Sequence, residues 1–165
     1  SEEVKAVVFW LMGSLHAASW ERLLPISIMF LIGLVLLMRY SWDLNALAFG
    51  DETARSLGTS VERVRVVAMM LGALVTASII CFTGTIGFVC LIAPHIARMI
   101  IGPDHRFLLP TSCSLGAVLL LGADSIARTV VAPVEIPVGI VTSFLGVPLF
   151  VYLLMTRRRV YWRGG

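Results

Sequence analysis

The chain reads as all-α, a polytopic transmembrane helical bundle with about five membrane spans plus short interfacial and cytoplasmic helices. Three observations predict this. Of the 165 residues, 58% are hydrophobic and 14% charged, with a mean hydropathy of +0.93, so a soluble domain of this size would carry a largely apolar surface. The stretch from Val66 to Ala97 holds no charged residue and is broken near its middle by Thr83-Gly84-Thr85-Ile86-Gly87. It is longer than one crossing at roughly 20 apolar residues and shorter than two, so the break predicts a tight turn between two helices. Finally, the arginines cluster at the flanks of apolar runs. That pattern sets membrane orientation and accounts for the pI of about 9.1 without a nucleic-acid partner.

Taken in order, residues 1–20, with Trp10 and Trp20 bracketing Gly13-Ser14, read as a short amphipathic element at the outer interface. The chain opens at Ser1 without a methionine and reads as a fragment. Five apolar runs follow: Leu23–Met38, Val66–Phe82, Ile86–Ile101, Phe107–Ala123 and Ile136–Thr156. Several fall short of ~20 residues, so tilt, snorkelling arginines or burial in a bundle must make up the difference. With the loop after the first run inside, Arg39, Arg55, Arg63, Arg65, Arg98, Arg106, Arg157, Arg158, Arg159 and Arg163 fall on the cytoplasmic side. Lys5, Arg22 and Arg128 fall outside, a bias of ten to three.

The inside loop from Tyr40 to Glu62 is too long for a turn. Ala46-Leu47-Ala48-Phe49-Gly50 ends on a residue suited to closing a helix, and Asp51-Glu52-Thr53-Ala54-Arg55-Ser56-Leu57-Gly58 opens on acids and ends on glycine. Two short helices separated by Gly50 are expected, packed on the chain's own loops or on a partner, against the simpler reading of a solvated connection. Asp104 and His105, in Gly102-Pro103-Asp104-His105-Arg106, read as a cap for the next helix. Pro148 and the Pro133…Pro137 pair predict bends, with Val134 to Val138 forming a short protected turn.

Few residues invite chemistry. Cys81, Cys90 and Cys113 lie in apolar runs without metal-ligand spacing and read as small buried side chains. His95 lacks a second ligand at helical spacing. No nucleophile–base pair, phosphate-binding glycine loop or carboxylate dyad is present, so the chain reads as a non-enzyme without a cofactor or catalytic residue. Asp124 and Arg128, four apart on one helical face, form either a self-satisfied ion pair or a docking point. Gly139, Thr142, Ser143 and Gly146 place small groups on one face of the last run, which reads either as a close packing seam or as the lining of a pathway.

Several ordered motifs together resemble a known family. Asn45-Ala46-Leu47-Ala48-Phe49-Gly50-Asp51-Glu52-Thr53-Ala54-Arg55-Ser56-Leu57-Gly58, Gly84-Thr85-Ile86-Gly87-Phe88-Val89, Ala93-Pro94-His95-Ile96-Ala97-Arg98, Gly102-Pro103-Asp104-His105-Arg106, Ala123-Asp124-Ser125-Ile126-Ala127-Arg128 and Glu135-Ile136-Pro137-Val138-Gly139-Ile140-Val141-Thr142 are similar to the FecCD-type permeases. These are membrane subunits of ABC importers for ferric siderophores, haem and cobalamin. Members are about twice as long, so the resemblance implies that residues 1–165 are the C-terminal half of such a transmembrane domain, with residues 40–62 as its coupling loop. It further implies an ATPase-coupling set of Asn45, Leu47, Gly50, Asp51, Glu52, Ala54, Leu57 and Gly58. Glu52, Ala54 and Gly58 stand where many importer permeases keep a Glu-Ala-Ala…Gly pattern, here degenerate because Thr53 and Arg55 flank the single alanine. Arg128 is implied to dock a periplasmic substrate-binding protein. The face of Gly139, Thr142, Ser143 and Gly146 is implied to line the pathway of a dimer with a second permease copy in the inner membrane. The expected partners are therefore a cytoplasmic ABC ATPase, a periplasmic binding protein, the second copy and the lipid bilayer. The competing expectation is a truncated, non-transporting membrane scaffold that only assembles with partner subunits.

Overall fold

The computed structural model describes residues 2–16, 18–130 and 136–161, the last with side chains to 155. Among these residues every regular element is helical: α1 (Glu2–Leu11), α2 (Trp20–Arg39), α3 (Ser41–Leu47), α4 (Asp51–Ser56), α5 (Val61–Thr83), α6 (Val89–Ile101), α7 (His105–Thr129) and α8 (Val138–Tyr161). α2, α5, α7 and the 138–155 part of α8 are long and apolar enough to cross a bilayer. Apolar residues on α2 at Leu24, Ile28, Leu31 and Val35, spaced by four, three and four, form an exposed stripe. A surface of that kind belongs against hydrocarbon, and the protein is a multi-pass membrane protein.

α6 is shorter than the run that announces it. An expected start at Ile86 becomes a start at Val89, because Gly84 closes α5 with φ +72° and Phe88, an unusual non-glycine residue at φ +66°, turns the chain into α6. Its 13 residues span about 20 Å, against about 30 Å of hydrocarbon. Residues 84–88 are thus non-helical backbone between two apolar helices, and next to hydrocarbon such backbone is tolerable only where protein covers it. The cover comes from two distant segments. Ser14 N–H donates to Thr83 O at 2.8 Å, the Thr85 hydroxyl donates to Leu11 O, and Gly139 N–H donates to Gly13 O at 3.3 Å. The backbone of residues 11–14 is therefore bonded into the bundle, with Gly13 buried, where an amphipathic element lying at the outer interface is expected, while the side chains of α1, Leu11 included, are exposed.

Helix packing uses small residues. Gly33 of α2 lies so close to Val75 of α5 that any side chain there would collide with the valine, and Gly116 of α7 faces Ala93 and Val89 of α6. Ala93, Ala97, Ala123 and Ala127 are all buried. The cysteines correct an expectation of burial: Cys81 and Cys90 are exposed on helix surfaces and Cys113 is half-buried, because a bundle of this size turns much of each helix outwards. Of the turn expected over Val134–Val138, residues 134–135 fall outside the described residues, while Ile136 and Pro137 are non-helical and Val138 already opens α8; the side chains of Arg157, Arg158, Arg159 and Arg163 also lie outside the described residues.

One end of the bundle gathers α3, α4, the start of α5 and the α6–α7 corner, with Arg39, Arg55, Arg63, Arg65, Arg98 and Arg106 around it. The opposite end holds the α1–α2 connection, residues 84–88 and Arg128.

Candidate functional site

α3 and α4 are short helices set in sequence between two spans. Gly50 separates them at φ +100°, a conformation reserved for glycine, with open space where a side chain would stand. α4 begins on Asp51 and Glu52, both favourable at a helix N-terminus. It ends in a Schellman turn around Gly58 at φ +86°: Thr59 N–H donates to Ala54 O and Gly58 N–H to Arg55 O, each at 3.0 Å. Ala54 is completely buried, whereas Phe49 is 76% and Leu57 67% exposed, and Glu52 is also open to solvent. The unit thus has a rooted face and a free one. Asp51 is tied to Arg65 of α5 at 3.0 Å, and Thr59 Oγ1 donates to Asp43 at 3.2 Å.

α3 is rooted in a different place. Asn45 Nδ2 donates to Asp104 Oδ1 at 2.8 Å, and Asn45 Oδ1 accepts the backbone N–H of His105, also at 2.8 Å. His105 Nδ1 lies 2.7 Å from the same oxygen, which can only accept, so Nδ1 carries a proton in this contact. Asp104 caps α7 as expected, accepting from Arg106 N–H at 3.0 Å, and its carboxylate also takes the Arg106 guanidinium at 2.8 Å. The Arg106 guanidinium foremost, and then the Asn45 amide, hold the Asp104 carboxyl well below its ordinary value of 3.8. A depressed value means that the favourable contribution is present above pH 3.8 and lost only as the pH falls below it, so this cap stays ionised at neutral pH. Arg106 also lies 4.1 Å from the ring centroid of Trp42, one turn before Asn45 on the same face of α3.

At the other end, Arg128 Nε is 2.8 Å from Asp124 Oδ2 with about half of the arginine side chain exposed, so the two form an ion pair and the arginine still faces outwards. On α8 the small-residue face divides. Gly139 abuts the Met12 carbonyl and Gly146 abuts the Phe88 side chain, so neither position has room for a Cβ, and Thr142 is buried with its hydroxyl on Gly139 O at 3.0 Å. Ser143 alone of the four is partly open. It borders a groove of about 410 Å³ shared with Thr85 and Phe144, and a second apolar groove beside Pro148. Among the described residues no group of three His, Cys, Asp or Glu side chains could hold a metal ion.

Residues 1–156 match the FecCD transport family. The chain belongs to that family. A relative from Methanocaldococcus jannaschii, described as an ABC transporter permease protein, is 48% identical over 153 residues, covering 93% of this chain and 44% of the relative. The cobalamin import system permease protein BtuC of Halobacterium salinarum is 41% identical over 158 residues, covering 94% of this chain and 42% of the relative. A solved structure described as a metal-chelate type ABC transporter in an inward-facing conformation superposes with a TM-score of 0.86 at 37% identity, covering 94% of this chain and 51% of that one. The chain thus spans about half the length of the relatives and the solved structure it matches.

Within this FecCD half, the structure adds Phe49, Trp42 and the Asp104–Arg106 corner to the region of α3 and α4. Phe49 could have been noticed as a large aromatic beside Gly50, between an apolar stretch and the acids that open α4. The partnership of Asn45 with Asp104 could not, since 59 residues separate them.

Proposed function

We propose that this chain is the C-terminal half of the permease subunit of an ABC importer, and that α3 and α4 dock on a separate cytoplasmic ATPase. The observation that carries the reading is the two-faced α3–α4 unit. It offers Phe49, Glu52 and Leu57 to solvent while its other side is fixed to α5 and α7. A soluble motor can move membrane helices only through an element of this kind, exposed for contact and rigidly rooted. The arginines around this end favour its placement in the cytoplasm of a cell whose inner membrane holds the permease.

The cargo is a large metal chelate, such as a siderophore complex or haem, or a corrinoid such as cobalamin, handed over by a periplasmic binding protein at the end that carries Arg128. Family membership, the cobalamin permease among the relatives and the metal-chelate type transporter among the solved structures support this class. The pathway forms against a second permease copy, with Ser143 and the groove beside it on the open side of α8. ATP hydrolysis belongs to the separate chain.

Phe49→Glu and Glu52→Lys place unfavourable groups on the exposed face without touching the rooted one. In the full-length permease each should weaken co-purification of the ATPase by tenfold or more, about 1.4 kcal/mol, while membrane accumulation stays unchanged. Normal ATPase association in both variants would remove α3–α4 as the docking unit.

A further inference from the structure

We propose that Asn45 is a positioning residue that latches α3 to the α6–α7 corner, so that displacement of α3–α4 by a cytoplasmic ATPase is delivered to the first turn of α7. The inference rests on the docking role given above to α3–α4 and assigns the route by which motion leaves it.

The covalent chain does not supply that route. Tyr40 alone joins α3 to α2, and residues 48–50, ending on the left-handed Gly50, join it to α4 and so to α5. α7 begins 60 residues after Asn45 and is reached only through side chains. A helix of seven residues has little rigidity of its own, so what it is bonded to decides where it pushes. On the side of α7, one amide does most of the joining. Asn45 donates to the carboxylate that caps α7 and accepts the N–H of that helix's first residue, with both bonds at 2.8 Å. Trp42, three residues earlier and therefore on the same face, rests against Arg106. A carboxylate acceptor makes the first of these bonds charge-assisted, and the backbone donor cannot rotate away from the second. The arrangement reads as a clamp on the end of α7 rather than as a surface for a partner, and it takes Asn45 out of the exposed docking set.

The substitution Asn45→Ala cuts this joint selectively, because Asp104 keeps its bonds to Arg106 and the α7 cap survives. The full-length permease would be assembled with its ATPase in lipid nanodiscs and followed by hydrogen exchange, without nucleotide and with ATP plus vanadate. In the wild type, nucleotide-dependent changes in exchange are expected in both segment 48–58 and segment 102–108. In Asn45→Ala the first should persist and the second should fall to the nucleotide-free level. Asn45→Gln keeps an amide donor and acceptor on α3, one methylene further out, and leaves Asp104 and its cap intact, so it should restore part of the second response. An unaltered 102–108 response in Asn45→Ala, with 48–58 responding, overturns the latch and leaves the docking role standing. A silent 48–58 in the wild type removes the docking role and the latch together. Failure of both Asn45→Ala and Asn45→Gln to assemble makes Asn45 a folding residue and also overturns the proposal.

Discussion

At the scale of single residues, two glycines, one inside α5 and one capping it, carry opposite obligations. Gly84 sits at φ +72° with the Trp10 carbonyl where a Cβ would go, so a methyl group would meet both a disfavoured backbone angle and a fixed backbone oxygen. Gly72, in the body of α5, has nothing within 4 Å of the place a Cβ would take. Gly84→Ala should therefore lower stability by at least about 2 kcal/mol, while Gly72→Ala should be neutral or raise it by up to about 1 kcal/mol. Thermal unfolding of the two variants in detergent micelles checks both, and equal melting temperatures would contradict the packing around residues 10–14. The sequence pointed to a break at residues 83–87, since paired glycines in an apolar run have few other uses. It did not point to Phe88, whose φ of +66° is set by the tertiary fit of its side chain against Gly146 and is invisible to local propensity.

At the scale of elements, α3 and α4 were legible because their glycines, their acidic start and their exposed length follow local rules. Which face is rooted was not legible, because the partners of Asn45 and Asp51 come from α7 and α5. The spacing of small residues on α8 signalled a single face, yet sequence could not divide it. The division depends on Met12 and Phe88 lying against Gly139 and Gly146 while Ser143 remains beside a groove. Gly50 gives this scale its own prediction. Its surroundings are empty, so Gly50→Val carries chiefly the backbone cost of an essentially glycine-only conformation, φ +100° and ψ 157°, of about 1–3 kcal/mol, enough to shift the angle between α3 and α4. ATPase binding should weaken while the amount of permease in the membrane stays the same. Loss from the membrane, or wild-type binding, would show that the Gly50 angle does not set the docking surface.

For the whole molecule, the order of the spans and the charge asymmetry of the two ends are legible in the amino-acid sequence, because hydropathy and arginine placement act over whole segments. The short α6 is the exception, since its length is decided by segments distant along the chain. Orientation is directly measurable. With Cys81, Cys90 and Cys113 replaced, Ser56→Cys should react with an impermeant maleimide only from the cytoplasmic side, and Ala18→Cys only from the opposite side. Both positions are exposed and lie at opposite ends of the bundle. Labelling of Ser56→Cys from outside would invert the orientation and detach α3–α4 from any cytoplasmic motor.

The cover over residues 84–88 also imposes a timetable on biosynthesis. Residues 11–14 leave the ribosome ahead of the turn they cover, but Gly139 and Gly146 belong to α8, made after it. Until α8 arrives, the turn between α5 and α6 lacks the close packing that Gly139 later brings to Thr85 and Gly146 to Phe88. α5 and α6 therefore reach their final packing only after α7 has been translated and α8 has closed over the turn.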